Sequence, residues 1–195
     1  MNVSPLKNDV AILIDCWTNI DSWIEDGSEK LFDRILDFVE NTESIGTIIL
    51  ASYDCDPREY RSNDIWYENT RNLLGSEIYN QKCKEQFEFR KEYNTTYSKI
   101  LNYHTSKQQY AMHYPWELDK LNILGKIYLC GITFSDCLKN RPLGWKSLKN
   151  YEVYVNKNCV AEVENVNNEV TYHDASFDDE WIQMNHDTWK LKKVL

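Results

Sequence analysis

The sequence is poor in the residues that make irregular or fibrous chains, with six glycines and four prolines among 195 residues. Set against 42% hydrophobic and 27% charged residues, that scarcity excludes a disordered tract, a collagen-like repeat or a low-complexity scaffold. No apolar run approaches the ~18 residues of a membrane span, and the short apolar stretch near the N-terminus meets a charge at Asp15. The expectation is a cytoplasmic protein with no membrane partner. Basic residues are outnumbered, 22 Lys and Arg against 31 Asp and Glu, for a net charge of -9. This argues against a nucleic-acid partner, whose phosphates are held by Lys and Arg. The six cysteines (Cys16, Cys55, Cys83, Cys130, Cys137, Cys159) contain no CxxC pair, so neither a structural zinc nor a disulfide framework is expected.

What is present is an alternation of apolar runs and amphipathic stretches. Asp9 to Asp15, DVAILID, has no polar alternation, as in a strand covered on both faces. Ser28 can cap a helix whose Leu31, Phe32, Ile35, Leu36, Phe38 and Val39 share one broad face. GTIILAS, from Gly46 to Ser52, is a second strand, and the βαβ unit so formed predicts an α/β fold with a mainly parallel sheet. Further along, the pattern predicts a helix around Asp64 to Leu74 and a third strand over Tyr97 to His104. A helix between Pro115 and Gly125 is expected next, then a fourth strand over Lys126 to Gly131. A helix over Ser135 to Lys149, interrupted by Pro142, leads to a fifth strand at Tyr151 to Val155. Beyond Val160, EVTYH reads as a strand, DDEWIQMN as a short helix and WKLKKVL as a tail.

Ligands of an open parallel sheet bind outside the carboxyl ends of its strands. On the predicted strands, Asp15, Lys107 and Cys137 all fall just past such ends. A carboxylate, a cation and a thiol on one edge suit covalent catalysis: a thiol at a helix N-terminus is acidified, and its thiolate is the nucleophile. A plainer reading stands beside each: Asp15 as a turn former, Lys107 as a solvated side chain, Cys137 as an inert thiol.

GITFSDCL, Gly131 to Leu138, resembles the signature of the isochorismatase-like cysteine hydrolases, relatives of nicotinamidases and N-carbamoylsarcosine amidases. AILIDCW resembles that family's first strand ending in its catalytic Asp, and KQQYA resembles its KxxYSAF segment. ASYDCDP resembles the family segment written TxDWHP. The resemblance implies a three-layer α/β/α domain over residues 1–160, with 161–195 as a C-terminal extension. It implies Cys137 as nucleophile, Asp15 as general base and acid, and Lys107 as the cation beside the thiolate. An oxyanion hole would lie at the amides of Thr133 and Cys137, with a cis peptide between Ile132 and Thr133.

Departures reshape the expected pocket, which would be lined by Trp17, Ile20, Tyr110 and Ile132. Trp17 stands where the family commonly has Gln, and Ile20 where it has an aromatic residue. Asp54 and Asp56 replace the metal-binding Asp and His of nicotinamidases, so no metal and no cofactor is expected. His104 and His113, on either side of Lys107, offer a competing Cys and His pairing, although His113 also fits the loop into the Pro115 helix. The expected function is hydrolysis of a small carboxamide or related C–N bond through a thioester on Cys137. The partner is then a small-molecule substrate, in a homo-oligomer. The alternative is a catalytically silent relative that binds a metabolite or a partner protein in the same crevice.

Overall fold

The computed structural model describes residues 8–14, 16, 28–51, 65–81, 103, 105–132, 134, 137–166, 169–174, 181–184 and 191–193. Its centre is β1 (Asp9–Ile14), paired in parallel with β2 (Ile45–Ala51) on one side and β4 (Ile127–Ile132) on the other. β3 (Gln108–Met112) continues the parallel sheet beyond β2, and β5 (Val153–Val166) continues it beyond β4. Three antiparallel strands complete it: β6 (Glu169–Asp174) and β7 (Trp181–Met184) on β5, and β8 (Leu191–Lys193) on β7. The order is β3-β2-β1-β4-β5-β7-β8, with β6 on β5 alone. The chain is therefore α/β with a mainly parallel sheet. Among the described residues, no helix is long and apolar enough to cross a membrane.

The strands alternate side chains between two cores. Ala11 and Leu13 join Ile48, Leu50, Tyr128 and Cys130 on one face, while Val10, Ile12 and Ile14 join Ile49, Met112, Ile127 and Leu129 on the other. Burial on both faces explains why β1 is apolar from Val10 to Ile14. Helix α1 (Ser28–Asn41) covers the first face with Leu31, Phe32, Ile35 and Val39, all fully buried. Each such side chain contributes roughly 1.5–3 kcal/mol of burial free energy. The second face is covered by Leu118 of α4 (Pro115–Leu118), Leu138 of α5 (Cys137–Asn140), and then Leu143, Trp145 and Leu148.

β3 is an edge strand, and its free backbone groups are matched by side chains from α2 (Ile65–Leu74), which leads into a further helix, α3 (76–81). The Thr70 hydroxyl accepts the Ala111 N–H and donates to the Ala111 carbonyl, both at 2.9 Å, and Asn69 Nδ2 donates to Gln109 O at 2.8 Å. A covered edge cannot template pairing with another chain.

Several elements differ from expectation. The third strand is Gln108–Met112, whereas Tyr97 to His104 yields no described strand: Tyr103 is irregular and the other seven positions lie outside the described residues. The helix before β4 is one turn, Pro115–Leu118, followed by a 3-10 turn Asp119–Leu121 that Asn122 ends in the left-handed conformation at φ 48°. The helix expected over Ser135 to Lys149 is the single turn Cys137–Asn140. The Trp145 amide then returns to Leu138 O at 2.9 Å, and a Cβ on Gly144 would sit 2.6 Å from that carbonyl. Near the C-terminus, Trp181–Met184 and Leu191–Lys193 are strands of the sheet, not a helix and a tail.

Replacing Thr70 with Val keeps the shape but leaves the Ala111 amide and carbonyl unmatched. A loss of about 1–3 kcal/mol is expected, read as a lower urea midpoint with faster hydrogen exchange at the Ala111 amide.

Candidate active site

In the order β3-β2-β1-β4-β5, successive strands step away in one direction up to β3, and β4 then returns to the far side of β1. The crevice of such a sheet opens where the order reverses, outside the carboxyl ends of β1 and β4. Those ends are tightly apposed. Gly131 pairs with Ile14 at φ 138°, and a Cβ there would lie 1.9 Å from Ile14 O, so no other residue fits without moving the backbone. Beyond Gly131 the chain stays on this edge, with Phe134 N bonded to Ala161 O at 3.0 Å, and reaches Cys137, the first residue of α5.

Cys137 differs from the other described cysteines. Cys16, Cys130 and Cys159 are fully buried under α1, whereas Cys137 is partly exposed. β5 brings Cys159 to Cys130 through a bulge, with four residues between Val155 and Val160 where β4 has one between their partners Leu129 and Gly131. The buried Asn156 bridges that bulge, accepting Asn158 N at 2.8 Å. A hydrogen bond with Cys159, together with burial, pushes the Cys130 thiol well above its ordinary value. Thiols so held are poor nucleophiles. Helix α5 is a single turn, so the dipole expected to acidify Cys137 is far smaller than a long helix would supply.

Lys107 is not part of this edge. It precedes β3, and in a parallel sheet the residue before one strand lies opposite the residue after another. With six residues in β4 and about 3.3 Å of rise per residue, the two edges are about 16 Å apart. Lys107 Nζ donates to Thr42 O at 3.1 Å and Ile45 O at 2.8 Å, carbonyls just beyond the C-terminus of α1. That helix has no basic residue in its last turn, and Lys107 supplies the cation its dipole favours. The catalytic lysine expected from the sequence is thus a helix-capping residue at the amino edge. The expectation failed because it placed the third strand before Lys107 when the strand begins after it.

Other expected positions divide similarly. Ile132 is buried in the core beneath α1, and Tyr110 lies mid-strand, half-buried against the second core. Asp15, Trp17, Ile20, Asp54, Asp56, His104, Thr133 and the bond preceding Thr133 lie outside the described residues. His113, directly after β3, is at the carboxyl edge and buried. Its amide and that of Tyr114 donate to the buried Glu117 carboxylate at 2.7 and 2.6 Å, and its ring meets Tyr114 edge-on. No group of three or more His, Cys, Asp or Glu among the described residues could hold a metal ion.

A residue that sequence reasoning passed over is Trp145. It is 5% exposed, its ring centroid lies 5.2 Å from that of Phe134, and its Nε1 has no hydrogen-bond partner among the described residues. A buried donor left unpaired costs about 1–3 kcal/mol. Nothing in the surrounding sequence, RPLGWKSLK, signals it.

The chain matches no family model, no curated protein and no solved structure. The class that stands is the one the topology defines, an α/β protein with a mainly parallel sheet and its strand-order reversal between β1 and β4.

Two predictions follow from the amino edge, where Lys107 sits among other paired groups. Lys107→Met is expected to lower stability by about 1–2 kcal/mol in a denaturant titration while leaving the alkylation rate of Cys137 unchanged. At the same edge the Tyr103 hydroxyl donates to Glu40, whose carboxyl is held low chiefly by that bond, and Tyr128 donates to Asp9 at 3.3 Å. Burial, reinforced by these carboxylates, pushes both tyrosines up to about 12. The unfolded chain ionises near pH 10, so their stabilisation is complete below about pH 10 and is lost as pH rises towards about 12. A tyrosinate absorbance titration should show this late ionisation, and Tyr128→Phe should flatten the alkaline loss of stability.

Proposed function

We propose that the chain is a cysteine hydrolase of the isochorismatase-like kind, cleaving a small carboxamide or related C–N bond through a thioester on Cys137. The observation that supports this best is the position of Cys137, a partly exposed thiol just past the carboxyl end of β4, where the strand order reverses. The sulfur attacks the carbonyl carbon, the C–N bond breaks as nitrogen takes a proton, and water hydrolyses the thioester. Asp15, next in the chain after Ile14, is the proton acceptor in this reading, and Lys107 takes no part. With Lys107 at the opposite edge, this reading assigns the proton transfer to Asp15.

A second reading, a silent relative that binds a metabolite in the same crevice, draws on the position of Lys107 itself. A screen of small amides for ammonia release separates the two. Release that disappears in Cys137→Ala, with substrate binding retained, is expected of the hydrolase. Binding without release in the intact protein would leave the silent relative.

A further inference from the structure

We propose that Cys130 and Cys159 are a redox pair, closing to a disulfide between β4 and β5 when the chain meets a hydroperoxide. The proposal stands apart from the reading of Cys137 and concerns thiols that reading leaves idle. In an unbroken register Cys130, next after Leu129, would face Asn156, next after its partner Val155. The bulge changes the neighbour. Pairing resumes at Gly131 and Val160, so the residue preceding each is a cysteine, and both cysteines lie in the core beneath α1. Neighbouring strands run about 4.8 Å apart, inside the roughly 4.4–6.8 Å between Cα atoms that a disulfide spans. The two thiols are hydrogen-bonded to each other, and neither is a rung of the β4–β5 ladder. A small shift of the bulge therefore brings the sulfurs together without breaking a pair of the sheet.

The same bulge controls access. While it is shut both thiols are buried and inert, but Asn158, directly before Cys159, is exposed. The bulge is fastened by Asn156 Oδ1, which accepts Asn158 N, and by Arg34 Nε of α1, which donates to Asn158 O, each at 2.8 Å. When these bonds open, Cys159 is the sulfur reached first, since Cys130 lies within β4. The Cys159 sulfur gives up its proton and attacks the terminal peroxide oxygen; the O–O bond breaks, leaving a sulfenic acid and an alcohol, or water when the oxidant is hydrogen peroxide. The Cys130 sulfur then displaces water from the sulfenic acid as the S–S bond forms. Two thiols have given two electrons and two protons to one peroxide, and a dithiol reductant reverses the change. Cys16 shares this core, where its thiol donates to Ile14 O at 3.6 Å.

Hydrogen peroxide added to the intact, folded protein tests this. Thiols left free at each time are blocked with N-ethylmaleimide in denaturant, and the digested peptides are read by mass spectrometry. The expected product is a peptide pair joined through Cys130 and Cys159, two hydrogens lighter than the separate peptides and parted again by dithiothreitol. Arg34→Met removes the bond from α1 to the bulge and should speed the closure about tenfold, the size of one hydrogen bond from a charged donor, with an unchanged far-UV circular dichroism spectrum showing that the fold is kept. Three results overturn the proposal: Cys130 and Cys159 both still carrying maleimide once the exposed Cys137 is fully oxidised, a disulfide joining either of them to another cysteine such as Cys16, or a closure rate that Arg34→Met leaves unchanged.

Discussion

Strand β1 is hydrogen-bonded on both sides by parallel neighbours and buried on both faces, and that arrangement decides the rest of the molecule. Parallel pairing gives β1 to β5 one direction, so every segment that enters a strand lies on one edge and every segment that leaves lies on the other. No adjustment of side chains can move a residue from the first group to the second. Lys107 belongs to the first and Cys137 to the second. A triad built from order along the sequence is therefore dissolved by a shift of a few residues in one strand.

The readily legible parts of the fold were those where burial is complete. DVAILI, GTIILA and IYLCG lie in strands packed on both faces, and the spacing of Leu31, Phe32, Ile35 and Val39 marks the buried face of α1. The misplaced strand is one where burial is partial. β3 carries Gln108 exposed and Gln109 buried beneath a hydrogen bond to Tyr103 O, so its own residues look less like a strand than the YSKILNYH before it. What makes QQYAM a strand is supplied by distant residues, Thr70 and Asn69 on one side and β2 on the other. Local pattern does not carry such information.

The site was legible in part for a related reason. The signature around Gly131 and Cys137 is local, because a close approach of backbones demands glycine and the thiol follows within one turn. The role of Lys107 is not local: its partners Thr42 and Ile45 are more than sixty residues away, and only the folded chain brings their carbonyls to its Nζ. The short span of α5 was likewise hidden, since the turn that replaces the helix is closed by backbone bonds from Trp145 and Lys146 to Leu138 and Lys139. Pro142 hinted at the break without fixing where the chain would turn.

The two edges of the sheet now differ in a way that bears on function. At the amino edge the polar groups serve the fold: Asp9 accepts from Lys126 N and Tyr128, Glu40 from Tyr103 and Thr105, and Lys107 donates to two carbonyls. A group matched within the protein has little left to offer a ligand, because binding would first have to break what folding made. At the carboxyl edge some groups are matched in the same way, the His113 and Tyr114 amides by the Glu117 carboxylate. The Cys137 thiol stays partly exposed while Cys16, Cys130 and Cys159 are sealed in the core, so among the described cysteines it is the one placed to meet a molecule from outside.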